Sequence, residues 1–245
     1  MNINFTDLDL QVLTNLSDIN NNLKFSKGNL QSTICSNRSI LGRYQLENNN
    51  QILEEFYIYD LPEFLNFLDL FDKPKIELIK NENNYNKIIV SDNQKTSEYY
   101  CSDPNVCVVP DFNNNKLKKT IDIPKDNLFI EFELNKEQIK SFIKSSKKLN
   151  LPDIVFENKD GKIICKTTDL TNKSSNNISF QIDKNTNQNF NCVFKFCNLN
   201  KIMISNYRVR ISDKKISEFK CKDIPLTYTI ALEPNSEFDS DMEIK

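Results

Sequence analysis

The sequence predicts an α+β chain that runs through one mostly antiparallel plan twice. Three observations carry this reading. Short alternating apolar runs, the mark of half-buried strands, dominate the chain. Only a few stretches show the 3.6-residue period of a helix, and the order of elements in the first half returns in the second.

The first helix is expected in "TDLDLQVLTNL", with Thr6 as N-cap and Leu8, Val12, Leu13 and Leu16 on one face. Strands follow near Leu23–Phe25 and Leu30–Cys35, joined by a turn in which Gly28 is free to take positive φ. Further strands are read near Leu41–Leu46 and Ile52–Ile58. In "DLPEFLNFLDLF" Asp60 can cap, Pro62 suits the first turn, and Leu61, Phe64, Leu65, Leu68 and Phe71 recur at helical spacing. Strands near Lys75–Lys80, Lys87–Ser91 and Thr96–Cys101 close the first half.

The stretch from Ser102 to Asp126 has three prolines, an Asn run and weak periodicity, as a connector should. This divides the chain into domains at 1–108 and 127–245 with a connector at 109–126. In the second half a strand, "LFIEFEL", leads into a helical segment, "LNKEQIKSFIKSSKKLN". Strands near Ile154–Glu157 and Lys162–Thr167 flank "NKDG", a second turn ending in glycine. Strands near Asn177–Ile182 and Phe190–Phe196 precede a short helix expected to begin at Asn198. Tyr207–Ile211, Lys215–Cys221 and Leu226–Leu232 complete the plan, and the acidic residues from Glu237 onward are expected to be mobile. "LKFSKGNLQSTI" matches "IVFENKDGKIICKT", and "EEFYIYDLPEFL" matches "CVFKFCNLNKIM". These pairs lie roughly 130 to 140 residues apart, far beyond solenoid periods, so they mark a duplicated domain.

Composition excludes much chemistry. The 245 residues include no His, which removes the commonest general base and metal ligand, and only 3 Gly, too few for a phosphate-cradling loop. The seven Cys are odd in number and scattered, as reduced thiols in a cytosol-like compartment would be. Neither Cys101 and Cys107 nor Cys192 and Cys197 form the tight pairs of structural zinc, so no metal and no cofactor is expected. Asp153, Asp160 and Asp169 fall in turn-like segments without a nucleophile or metal motif, so no catalytic residues are assigned. No stretch approaches the ~20 apolar residues of a membrane helix, and "MNINFTDLDL" lacks the basic start of a signal peptide.

One segment departs from the rest. The chain has a formal net charge of -2, yet five lysines fall between Lys136 and Lys148, opposed only by Glu137. At helical spacing Ile139, Phe142 and Ile143 share one face, while Lys136, Lys140, Lys144 and Lys147 project from another with Lys148 at its edge. On such a helix alone, a solvated face is the ordinary reading.

Four stretches resemble a known family: "IYDLPEFLNFLDLF", "DNQKTSEYYCSDPNVCVV", "LNKEQIKSFIKSSKKLNLPDIVFENKDGKI" and "YTIALEPNSEFD". Collinear, and joined by the duplicated plan, they make the chain similar to the DNA sliding clamps of T-even-type tailed phages, which share the PCNA-like fold. The resemblance implies two helices packed on an antiparallel sheet in each domain. It implies a ring of three subunits closed by edge strands around duplex DNA, tethering the replicative polymerase after assembly by a clamp loader. It also implies action in the cytoplasm of an infected bacterial host. In that frame the basic face of Lys136, Lys140, Lys144, Lys147 and Lys148 meets the phosphate backbone without reading sequence. Lys201, on the short helix, is a further candidate, while Arg208 and Arg210 either reach the hole or dress a strand face, the second being the preferred reading. Partner peptides would insert near the connector and last strand, at Ile123, Leu128, Ile230, Leu232 and Pro234. For Ile230 and Leu232, alternation alone does not separate a pocket from ordinary core.

Rival classes stay in view: a phage structural β-protein that forms no ring, an enzyme, and a single-strand binder. The last needs exposed aromatics interleaved with basic residues, whereas most Phe and Tyr here occupy alternating core positions.

Overall fold

The computed structural model describes residues 2–47, 52–81, 84–110, 123 and 127–239. The chain forms two compact units, Met1–Asp111 and Phe112–Lys245. Apart from Val109, Pro110 and Ile123, the expected connector lies outside the described residues.

The first unit contains β1 (Asn2–Ile3), α1 (Asp7–Ser17), β2 (Leu23–Phe25), β3 (Leu30–Ile34), β4 (Ile40–Gln45) and β5 (Phe56–Ile58). It continues with α2 (Leu61–Asp69), β6 (Lys75–Asn81), β7 (Asn84–Ser91) and β8 (Thr96–Tyr100). Its strands run in the orders β5-β2-β3-β4 and β1-β6-β7-β8, all antiparallel. The second unit repeats the plan with β9 (Ile130–Leu134), α3 (Lys136–Leu149), β10 (Asp153–Lys159), β11 (Lys162–Thr168), β12 (Ile178–Asn185) and β13 (Phe190–Lys195). Then come α4 (Phe196–Leu199), β14 (Tyr207–Ser212), β15 (Ile216–Cys221) and β16 (Leu226–Ala231). Its orders, β13-β10-β11-β12 and β9-β14-β15-β16, match the first unit strand for strand. A last strand, β17 (Glu237–Phe238), is added on the outer edge of β13.

The duplication holds to the level of register. Leu23 pairs with Ile58 as Ile154 pairs with Phe194. With Leu23 as the counterpart of Ile154, the second quoted match slips by two residues, because Phe56 then corresponds to Cys192. A slip of two keeps every side chain on its own face, which is why the alternation still aligned.

Each helix is sealed by apolar side chains. Val12, Leu13 and Leu16 of α1 are fully buried, as are Leu61 and Phe64 of α2. Thr6 caps α1 in a capping box with Asp9. The buried Asp9 carboxylate also accepts from the Tyr44 hydroxyl at 2.8 Å and the Glu47 N–H at 3.0 Å, tying α1 to β4. Such burial is tolerated because the charge is matched by donors. In the second unit a file of aromatics runs Phe132–Phe156–Phe194–Phe219–Tyr207–Tyr228, with neighbouring ring centroids 5.3 to 6.2 Å apart. Gly28 (φ 98) and Gly161 (φ 80) take the left-handed turn geometry expected of them. Gly42 serves differently: a Cβ there would lie 2.6 Å from a Leu16 methyl and 3.0 Å from one of Ile19, so its bareness lets α1 approach β4.

Several expectations are corrected. The strand expected across Ile52–Ile58 is confined to Phe56–Ile58, because Ile52 turns aside to exchange backbone bonds with Gly28 at 2.8 and 2.9 Å. The short helix begins at Phe196, two residues early, and ends at Leu199. Met203 then donates its N–H to the Tyr228 hydroxyl, which turns the chain toward β14. The residues from Glu237 onward do not begin as a mobile acidic tail. Glu237 and Phe238 form β17, because Phe238 buries its ring.

Gly42→Ala is expected to cost about 1–3 kcal/mol through overpacking against Leu16 and Ile19. A urea melt monitored by circular dichroism reads this as a lower midpoint at unchanged slope. An unchanged midpoint would mean that the α1–β4 approach is not tight.

Candidate nucleic-acid and partner surfaces

The lysine helix is specified at both ends. Asn135 caps α3 in a box with Gln138, and Asn150 ends it in the left-handed conformation at φ 52. The Asn206 side chain accepts from the Lys136 N–H at 3.0 Å and so fixes the entry of the helix against the start of β14. The capping box is visible in the sequence as N-x-x-Q before an apolar run, a signal that the lysine spacing overshadows. Ile139 and Phe142 are fully buried and Ile143 nearly so, which leaves the opposite face no choice but water.

On that face Lys136, Lys140, Lys144, Lys147 and Lys148 are all exposed. Glu137 bonds Lys140 at 2.8 Å, and this hydrogen bond holds the glutamate below its usual carboxylate range. The pair is solvent-exposed, so its contribution to stability is small. Lys147 and Lys148 fall in the last turn, where cations also complement the helix dipole. The described helices divide sharply in charge. α1 has two aspartates, α2 one glutamate and one aspartate, and α4 no charged residue, so among the described residues every helical lysine belongs to α3. Between α1 and α2 lies a cleft of about 560 Å³ edged by Asp7, Asp69 and Asp72 against one cation, Lys73, so its net acidic rim is a poor neighbour for phosphate.

Lys201 is not on a helix. It sits half-buried in the turn after α4, its N–H bonded to the Asn198 carbonyl at 3.1 Å. Arg208 bonds Glu131 at 2.7 Å. Arg210 bonds Glu218 at 3.3 Å and donates to the Ile123 carbonyl at 2.9 Å, so these arginines tie strands and the chain at Ile123 together.

The residues expected at a partner pocket do not share one degree of access. Ile230 is 0% exposed and Leu232 6%. Ile123 is buried, Leu128 half-buried and Pro234 exposed, the Pro234 carbonyl accepting from Lys215 Nζ at 2.6 Å. Ile230 is therefore core in this structure, and only Leu128 and Pro234 present surface.

Comparison with known proteins bears on the fold and on relatedness. Residues 131–234 match the family described as gp45 sliding clamp, C terminal. The chain is 27% identical over 240 residues to a sliding clamp of Escherichia phage RB69, covering 94% of this chain and 96% of that one. Among solved structures it superposes on the Proliferating Cellular Nuclear Antigen of Entamoeba histolytica with a TM-score of 0.64 at 17% identity, over 95% and 98% of the two chains. With PCNA of A. fulgidus, solved with the C-terminal region of FEN-1 bound, the TM-score is 0.66 at 15% identity, over 96% and 99%. The fold is the PCNA-like clamp fold, and the chain is related over nearly its whole length to a phage sliding clamp.

Core and surface members of the expected pocket should separate in stability. Ile230→Ala is expected to cost about 2–5 kcal/mol by cavity formation, and Pro234→Ala to stay within about 0.5 kcal/mol. Equal, small effects in denaturant melts would return Ile230 to the surface.

Proposed function

We propose that this protein is a sliding clamp without catalytic activity, which encircles duplex DNA as a homotrimer and tethers a replicative polymerase in the cytoplasm of an infected bacterium. The observation that carries the proposal is the coincidence of the clamp fold with a single exposed lysine face on α3. Lysine fits this role because a mobile point charge contacts phosphate at any sequence and lets go easily. With the helical lysines of the described residues confined to one helix per subunit, each subunit makes few contacts. The ring's topology does the holding, and the acidic remainder of the chain discourages DNA from binding elsewhere.

Closure needs two free sheet edges that are not copies of each other. β8 has no buried residue, and of β12 only Ile182 is buried; both end their sheets among the described residues. Pairing β8 of one subunit with β12 of the next is a heterologous contact, the kind that generates a ring when the rotation closes. It also removes two exposed edges at once. A clamp loader opens this ring onto DNA. The polymerase peptide docks at Leu128 and Pro234, with Ile123, Leu232 and Ile230 beneath as the apolar floor.

Charge reversal separates the surfaces. Lys140→Glu with Lys144→Glu should abolish processive synthesis and loading while the subunit mass and melting curve stay as in the parent. Normal processivity of that double variant would remove α3 from the DNA contact. Leu128→Glu should lose polymerase stimulation while the loaded clamp still protects DNA, and unimpaired stimulation would move the peptide site elsewhere.

A further inference from the structure

The strand β17 goes beyond the repeated plan. In the first unit the matching edge strand, β5, is crossed by Ser102, whose N–H donates to the Tyr57 carbonyl at 2.9 Å and whose hydroxyl accepts from the Tyr59 N–H at 2.9 Å. In the second unit the same crossing occurs at the equivalent residue. Glu233 N–H donates to the Val193 carbonyl at 2.8 Å, and the Ser236 hydroxyl accepts from the Val193 N–H at 2.9 Å. Among the described residues, only in the second unit does the chain continue along the edge, pairing Glu237 with Asn191 and Phe238 with Phe190. The duplicated fold therefore provides an open edge at this position, and the C-terminal residues cover it.

The covering segment sits there as a ligand sits in a site. Phe238 is 1% exposed, its ring edge-on to Phe129 with centroids 4.9 Å apart, and Phe129 in turn lies 6.3 Å from Phe190. Both carboxylate oxygens of Asp239 accept from the Asn189 N–H at 3.0 Å. The ladder is two residues long, and beside it the Asn191 Oδ1 is buried without a hydrogen-bond partner among the described residues. A short ladder that leaves a buried acceptor unsatisfied is one that a better-matched strand can replace.

We propose that the outer edge of β13, with the aromatic slot at Phe129 and Phe190, is a docking site for an extended acidic segment of a partner protein carrying a phenylalanine, and that β17 occupies it in cis. The occupant's chemistry is that of β17 itself: a carboxylate for the Asn189 N–H, a phenyl ring for the slot, and a backbone strand for the edge. Docking in trans requires β17 to leave, so the C-terminus competes with the partner.

The test uses the full chain and a fluorescent peptide of its own residues Ser236–Lys245, followed by anisotropy. Phe238→Ala should bind the peptide about tenfold more tightly than the parent, because the slot is vacated, and an alanine in place of the peptide's phenylalanine should lose binding. Asn191→Cys with Glu237→Cys joins a directly paired position, within reach of a disulfide. Oxidised, this variant should not bind the peptide, and reduction should restore parental binding. Peptide binding by the oxidised variant at parental affinity would overturn the proposal. So would a folded Phe238→Ala chain that gains no affinity, or equal binding of the alanine peptide. The crosslinked variant retains Phe238, so it decides the matter even where Phe238→Ala fails to fold.

Discussion

A helix sealed against a sheet by one apolar face has the opposite face left over, and the rest of this molecule depends on that constraint. The core fixes the orientation of α1 through Val12, Leu13 and Leu16, and of α3 through Ile139, Phe142 and Ile143. The two helices occupy equivalent places in the duplicated plan, so burial treats them alike. Their free faces differ: Asp7 on α1 and five lysines on α3. Divergence on a face the core does not use costs the fold little, which is how one architecture acquires a charged side without losing stability.

The same logic applies to sheet edges. An antiparallel sheet must end somewhere, and each unbonded edge invites another strand. In this chain the edges are treated unequally. β13 is covered by the chain's own C-terminus, while β8 and β12 remain outermost in their sheets with most side chains in solvent. A covered edge and an open edge in the same unit mean that pairing is directed. The chain's own C-terminus fills the first edge, while among the described residues the other two stay available.

Most of the fold was legible in the sequence because its strongest signals were local. Thr6 and Asp60 announced helix starts, the two turn glycines announced hairpins, and the lysines of α3 fell at a spacing only a helix could make meaningful. The lysine face was found for the same reason, since exposed charge at period 3.6 needs no tertiary information. What escaped depended on contacts distant in sequence. Phe238 looked like part of an acidic tail, but its ring meets Phe129 and its backbone pairs with Phe190, both distant in sequence. Lys201 looked helical until the turn at Met203, set by the Tyr228 hydroxyl, ended the run. Ile230 alternates in the same way whether it faces a pocket or a core, and period two carries no information about which.

The measurement that bears most directly on the ring is absolute mass by multi-angle light scattering, over a range of protein concentration and salt. The chain weighs 28.6 kDa, and closure of β8 onto β12 predicts a species of three times that mass, with no higher multiples as concentration rises. A monomer that persists at high concentration, or open-ended growth beyond three subunits, would contradict the ring on which the clamp reading rests.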